Sequence, residues 1–270
     1  MSRRRHPAAG YAAVAGGLVV FGVLYATLSG GGASAAAPAQ GQTQIAQGRS
    51  LFVQSCASCH GLDAQGTANV APSLVGAGAA AVYFQMSTGR MPAKELGAEN
   101  DRKPTTFTTT QIYAIAAYVA SLGGGPAIPD ASQVSTAGAN TALGQVLFST
   151  NCAQCHGFAG AGGALTYGKT APSLNAATPT QIYEAMLTGP EAMPAFPDGT
   201  VTPAEKKDII AYIIDTRNEA NPGGFSLGRT GTVTEGLLAW LGGLGFLVLI
   251  AMWLTAKRRD PVVHVGEDDL

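Results

Sequence analysis

Charge is scarce in this chain: 12% of its 270 residues are Asp, Glu, Lys or Arg, and 16 basic groups nearly cancel 17 acidic ones. That balance excludes nucleic-acid binding through a broad basic surface. The 46% apolar content excludes intrinsic disorder, whose signature is high charge with few apolar residues. Cysteine numbers four, and all four fall in two copies of one short motif, so no thiol remains for a disulfide elsewhere. Histidine also numbers four, which limits any ligand set the chain can assemble. No stretch alternates with period two for long, so no sheet is expected and the fold reads as all-α.

What is present begins with two long apolar runs near the ends. Gly236 to Ala256 holds 21 residues without a charge. At about 1.5 Å rise per residue it spans roughly 30 Å, the hydrocarbon thickness of a bilayer. Trp240 and Trp253 lie towards its ends, where aromatic side chains favour the interface, and Lys257, Arg258 and Arg259 follow as a cytoplasmic marker. Gly10 to Leu28 is a second such run, preceded by Arg3, Arg4 and Arg5. It exceeds the usual length of a signal-peptide core, so a retained anchor is expected, although Ala33-Ser34-Ala35 resembles a cleavage site. Both termini are then expected in the cytoplasm, with the middle of the chain on the outer face of the cell membrane.

That middle is a duplication. Gly48, Leu51 and Phe52 lead into Cys56-Ala-Ser-Cys59-His60, and Gly144, Leu147 and Phe148 lead into Cys152-Ala-Gln-Cys155-His156. Each copy continues with Ala-Pro-Ser-Leu (Ala71 to Leu74, Ala171 to Leu174), then Tyr-x-x-Met-x-Thr-Gly (from Tyr83 and Tyr183). Each closes with Met-Pro-Ala (Met91, Met193) and a helical stretch containing Ala-Tyr. The offset between copies grows from 96 to 100 to 102 along this series, as loops of two related domains lengthen. The surest helices are 43–55, 110–122, 141–151 and 202–219. Gly48 with Tyr118, and Gly144 with Tyr212, are expected where first and last helices cross, with Phe52 and Phe148 packed nearby.

Cys-x-x-Cys-His is the spacing of c-type haem attachment. Two cysteines one helical turn apart reach the two vinyl groups of a porphyrin as thioethers, and the next histidine binds the iron. Two covalently bound haem c groups are therefore expected, on Cys56 and Cys59 with His60, and on Cys152 and Cys155 with His156. A zinc site or a redox dithiol does not account for the repeated histidine together with the repeated Met-Pro.

A six-coordinate haem needs a second axial ligand. Besides the motif histidines the chain has only His6 and His264, both on the cytoplasmic side of the expected topology. Methionine is the natural alternative and raises the reduction potential. Each copy offers two. Met91 and Met193 lie in loops and are fixed by the following proline, which favours them. Met86 and Met186 lie on a short helix beside a tyrosine and read as core, remaining the alternative ligands. Pro72 and Pro172 are expected to accept a hydrogen bond from the second ring nitrogen of the proximal histidine.

With these residues in view, each copy resembles a class I cytochrome c domain, over about 45–122 and 141–217. In that family the proximal histidine bonds a proline carbonyl and the distal ligand is methionine, matching Pro72, Pro172, Met91 and Met193. The whole arrangement is similar to the dihaem cytochrome c subunit of the actinobacterial cytochrome bc complex, a menaquinol–cytochrome c reductase. The organisation implied is a cytoplasmic N-terminus and membrane helix (1–29), a flexible stalk (30–42), a cytochrome c domain (43–125), a linker (126–140), a second cytochrome c domain (141–222), a linker (223–235), a membrane helix (236–256) and a cytoplasmic tail (257–270). The resemblance implies electron transfer from a Rieske iron–sulfur subunit, beside a cytochrome b subunit, to a haem–copper oxidase. No catalytic residue and no catalysis by the chain alone are implied. The rival readings are a cytochrome c subunit of a terminal oxidase, an independent membrane-tethered carrier, a dihaem peroxidase and a purely structural protein.

Overall fold

The computed structural model describes residues 14–21, 39–97, 99–220, 227–229 and 232–257. These divide into two units between Gln44 and Ile45. Up to that point lie the helix α1 (14–21) and the first turns of α2 (Ala39–Ser55). The rest of the expected apolar helix over 10–28, and the basic residues Arg3, Arg4, Arg5, Arg258 and Arg259, lie outside the described residues.

From Ile45 onward the chain repeats one helical plan. The first round is α2, the single turn α3 (Ala57–His60), α4 (Gly78–Ser87) and α5 (Thr109–Ser121). A short α6 (Ala131–Val134) follows, and the second round is α7 (Thr141–Asn151), α8 (Ala153–His156), α9 (Pro179–Thr188) and α10 (Pro203–Asn218). The last element, α11 (Thr232–Lys257), includes the stretch Thr234–Ala256, which is long and apolar enough to cross a membrane and is nowhere buried by the chain.

Local chemistry sets the helix starts. Thr108 accepts from the Gln111 backbone N–H while Gln111 reaches back to the Thr108 backbone, a capping box at the start of α5. Thr178 with Gln181 and Thr202 with Glu205 repeat it for α9 and α10, each with proline at the first helical position. Expected boundaries move accordingly: Thr202 caps α10 rather than beginning it, and α5 starts at Thr109. In addition, α2 begins at Ala39 rather than Thr43, and α5 and α10 end one residue early, at Ser121 and Asn218.

Each round closes on its own core. In the first, Phe52, Met86, Ile112, Ile115 and Tyr118 pack together, and in the second Phe148, Tyr183, Met186, Ile209 and Tyr212 do so. The first and last helices of each round touch at glycine. A Cβ on Gly48 would stand 1.9 Å from the Ala114 carbonyl oxygen, and one on Gly144 would stand 2.0 Å from that of Asp208. Tyr118 also lies against Gly48, as expected, whereas the second crossing is met by the backbone one turn before Tyr212. The aromatic pairs Phe52–Tyr118 and Phe148–Tyr212 flank these crossings at centroid distances of 5.3 and 5.2 Å.

The expectation of no sheet needs one correction. β1 (Gly163–Ala164) and β2 (Thr170–Ala171) form an antiparallel pair, in register Gly163 to Ala171. The first round has a single bridge, Thr67 to Ala71, at the same place. Four extra residues in the second copy extend that bridge into a hairpin, too short to leave a period-two signal.

Candidate haem sites

Each Cys-x-x-Cys-His motif lies at the end of the first helix of its round. The chain turns at Cys56 and again at Cys152, and the remaining motif residues form the single turns α3 and α8. Gly61 and Gly157 follow with φ of 80° and 72°, so both turns stop at a residue that tolerates positive φ.

The histidine is then fixed by a loop that folds back on it. Gly66 and Gly162 donate to the carbonyls of His60 and His156, both at 2.8 Å. Their φ values of 83° and 87° let the backbone pass directly over the proline turn. A Cβ on Gly66 would lie 2.5 Å from the Ser73 nitrogen, and one on Gly162 would lie 2.6 Å from the Ala171 oxygen. The proline carbonyls consequently face the imidazoles: Nδ1 of His60 is 2.9 Å from the Pro72 oxygen, and Nδ1 of His156 is 3.0 Å from the Pro172 oxygen. A carbonyl only accepts, so Nδ1 carries the proton and Nε2 keeps its lone pair for a metal. Burial lowers the pKa of His156, with the Pro172 hydrogen bond opposing. Burial outweighs the hydrogen bond, so the net shift favours the neutral imidazole, the ligating form.

The first thiol of each motif is held protonated. Burial first, and then the neighbouring thiol, pushes Cys56 and Cys152 up to about 11. A redox dithiol requires the opposite shift, towards thiolate at neutral pH. Among the described residues, no three or more His, Cys, Asp or Glu side chains are gathered as a metal-ion site.

Met91 and Met193 lie in loops after the Gly89 and Gly189 turns, partly buried against their respective cores. Their backbone nitrogens donate to Gln85 and Pro190, each at 3.0 Å. Met86 and Met186 lie on α4 and α9 inside the cores, 5% and 3% exposed. In the second round Cys152, Cys155, His156, Pro172, Met186 and Met193 line one largely apolar cleft with about 1170 Å³ of empty space, partly open to solvent. Paired cysteines, an oriented imidazole, a thioether and apolar walls are the donor set and surroundings that a covalently attached haem requires.

One part of this geometry goes beyond the sequence reading. The two rounds meet through α4 and α9 and through the loops beyond them. Gln181, while capping α9, accepts from Arg102 at 3.0 Å and donates to Ser87 at 3.0 Å. The Asn100 backbone donates to Glu191 at 2.8 Å, the Thr170 backbone to Glu99 at 3.3 Å, and Arg90 approaches Glu191 at 3.7 Å. A signal for these contacts was present as length differences between the copies. Glu191 and Thr170 lie in segments where the second copy is longer, and Glu99 to Arg102 in one where the first is longer.

The comparisons with known proteins agree with this architecture. The family model described as cytochrome c oxidase, cbb3-type, subunit III matches twice, over residues 43–119 and 139–213. The cytochrome bc1 complex cytochrome c subunit of Corynebacterium diphtheriae is 42% identical over 94% of this chain and 95% of its own length. That of Corynebacterium efficiens is 43% identical over 94% of this chain and 90% of its own. The protein of the same name from Mycobacterium leprae is 44% identical over 89% of this chain and 85% of its own. This chain belongs to the family of cytochrome bc1 complex cytochrome c subunits, with two domains of the cytochrome c type and an apolar helix at its C-terminal end.

Proposed function

We propose that the chain is a membrane-anchored dihaem electron carrier, the exit subunit of a menaquinol–cytochrome c reductase. It would take electrons from the Rieske iron–sulfur subunit, beside cytochrome b, and pass them to a haem–copper oxidase. The observation that carries this reading is the twofold occurrence of one constellation, cysteine pair, proline-oriented histidine and loop methionine, in a chain related to bc1 subunits over nearly its whole length.

Haem c supplies a one-electron ferric–ferrous couple when bound. The chain's own residues have separate tasks in that reading. Cys56, Cys59, Cys152 and Cys155 would tether the two groups, His60 and His156 would ligate through Nε2, and Met91 and Met193 would supply the second ligand of each. Pro72 and Pro172 keep the imidazole rings in place. Phe52 and Phe148 pack in the cores beside the first cysteine of each motif, and a second protein ligand on each iron would leave no open position for oxygen chemistry. In this reading α11 anchors the chain with its C-terminal tail in the cytoplasm, an N-terminal helix is a second anchor, and the haem domains face outwards. Redox turnover and charge translocation belong to the assembly.

The name of the matching domain model favours a second reading, a cytochrome c subunit of an oxidase alone. A reduced-minus-oxidised spectrum of the tagged protein, purified from its native membrane in mild detergent, separates the two. Haem b and haem a bands beside haem c are expected for a reductase joined to its oxidase. Oxidase haem without the b-type bands of a reductase would favour the second reading, and haem c alone in an intact preparation would sink both.

A further inference from the structure

The cleft around Cys152, Cys155 and His156 is not closed by its own domain alone. Phe84, Thr88, Arg90, Glu99 and Arg102 of the first domain also line it. Among the described lining residues, the second domain contributes neither lysine nor arginine, so Arg90 and Arg102 bring the only such cations. A haem carries two propionate carboxylates. In an apolar cleft these need cationic or hydrogen-bonding partners to remain ionised.

Arg90 is poised for that task. It is 6% exposed, stacks over the Phe84 ring at 5.2 Å, and its Nε has no hydrogen-bond acceptor. Glu191 stands 3.7 Å from that nitrogen, outside hydrogen-bond distance, and already accepts from the Asn100 backbone. A guanidinium buried with a donor unused is costly unless a further anion completes it. Arg102 also lines the cleft; it is exposed and spends one donor on Gln181, which leaves further donors of its fork for an anion.

Resting on the haem c reading above, we infer that Arg90 and Arg102 of the first domain bind the haem propionates of the second site. The second haem site is then incomplete without the first domain. Arg90 also adjoins Met91, the proposed ligand of the first site, and Lys103 holds this segment by donating to the Arg90 and Pro92 carbonyls at 3.0 and 2.6 Å. One short segment thereby serves both sites.

The test is a redox titration of the full chain in detergent, with the second haem identified as the wave that Met193→His displaces. A cation beside the haem favours the ferrous state, so Arg90→Gln with Arg102→Gln should lower that wave. The expected shift is about tenfold in the reduced-to-oxidised ratio at fixed potential, or about 59 mV for one electron. Arg90→Lys should keep most of the potential, and Glu191→Gln should raise it. Where Arg90→Gln fails to load haem, Arg102→Gln alone should still lower the wave. An unmoved wave in the double variant, an equal fall in Arg90→Lys and Arg90→Gln, or a fall in Glu191→Gln would overturn the assignment. Haem counting by pyridine haemochrome separates the two levels: fewer than two haems in the unaltered chain overturns the haem reading itself.

Discussion

At the residue scale, the choice between two methionines in each copy is the sharpest question, and their surroundings differ. Met86 and Met186 are core side chains on helices, whereas Met91 and Met193 are partly buried in loops. Replacing either loop methionine by histidine should keep the thioether-bound haem and lower its potential. The fall should be on the order of 0.1 V, within the ~0.8 V that axial ligands span. Potentiometric titration of each variant checks this, and two unmoved waves would transfer the role to Met86 and Met186.

A second residue, Glu184, has no part in the haem reading. It is fully buried on α9, neither carboxylate oxygen has a hydrogen-bond partner, and burial pushes its carboxyl up to about 9. Tyr83 of α4 is the ionisable group across the domain contact with which it interacts. An acid with a raised folded pKa binds its proton more tightly in the folded state. Its stabilising effect is full below its ordinary value of 4.5 and is lost as pH rises towards about 9. Unfolding stability should therefore decline across that window, by at most about 1.4 kcal/mol per pH unit from this group. Glu184→Gln should flatten the decline in denaturant titrations at pH 6, 7 and 8, and an unchanged slope would show that Glu184 reaches water.

At the scale of elements, the helix crossings are among the tightest backbone approaches in the described residues. With a Cβ at 1.9 Å from the Ala114 oxygen or 2.0 Å from the Asp208 oxygen, the opposed backbones must separate. Gly48→Ala and Gly144→Ala should each cost about 1–3 kcal/mol or more, as overpacking does. The loss should appear in thermal unfolding and in the yield of haem-loaded protein. The glycines were legible in the sequence because they recur eight residues before both motifs. The capping boxes were written just as openly, as T-x-x-Q and T-x-x-E, yet a run of threonines before α5 obscured which one caps. The β1–β2 hairpin was not legible: two residues per strand give no alternation to read. The proline carbonyls at His60 and His156 follow the expectation from the repeated Ala-Pro-Ser-Leu. Their geometry depends on Gly66 and Gly162, whose role emerges only when the loop is folded.

For the whole molecule, the duplication explains more than the presence of two similar domains. Thr108 and Thr202, both helix caps, are 94 residues apart, whereas the Met-Pro loops before them are 102 apart. The copies thus diverge in length at three places, and each of those segments carries a contact between the domains. Thr170 lies in the first, Glu191 in the second, and Glu99, Asn100 and Arg102 in the third. Insertions that merely drifted would have no reason to coincide with one interface.

The consequence is cooperative unfolding. Gln181 and Glu191 together make most of the polar contacts between the domains, through Ser87, Asn100, Arg90 and Arg102. Net contributions of about 1 kcal/mol per hydrogen bond, and more for charged ones, make this coupling a few kcal/mol. Gln181→Ala combined with Glu191→Ala should leave both haems attached, because neither residue belongs to either donor set. The variant should separate the single calorimetric transition expected of the parent into two. A parent that already unfolds in two steps, with the variant no different, would mean that the domains touch without stabilising one another.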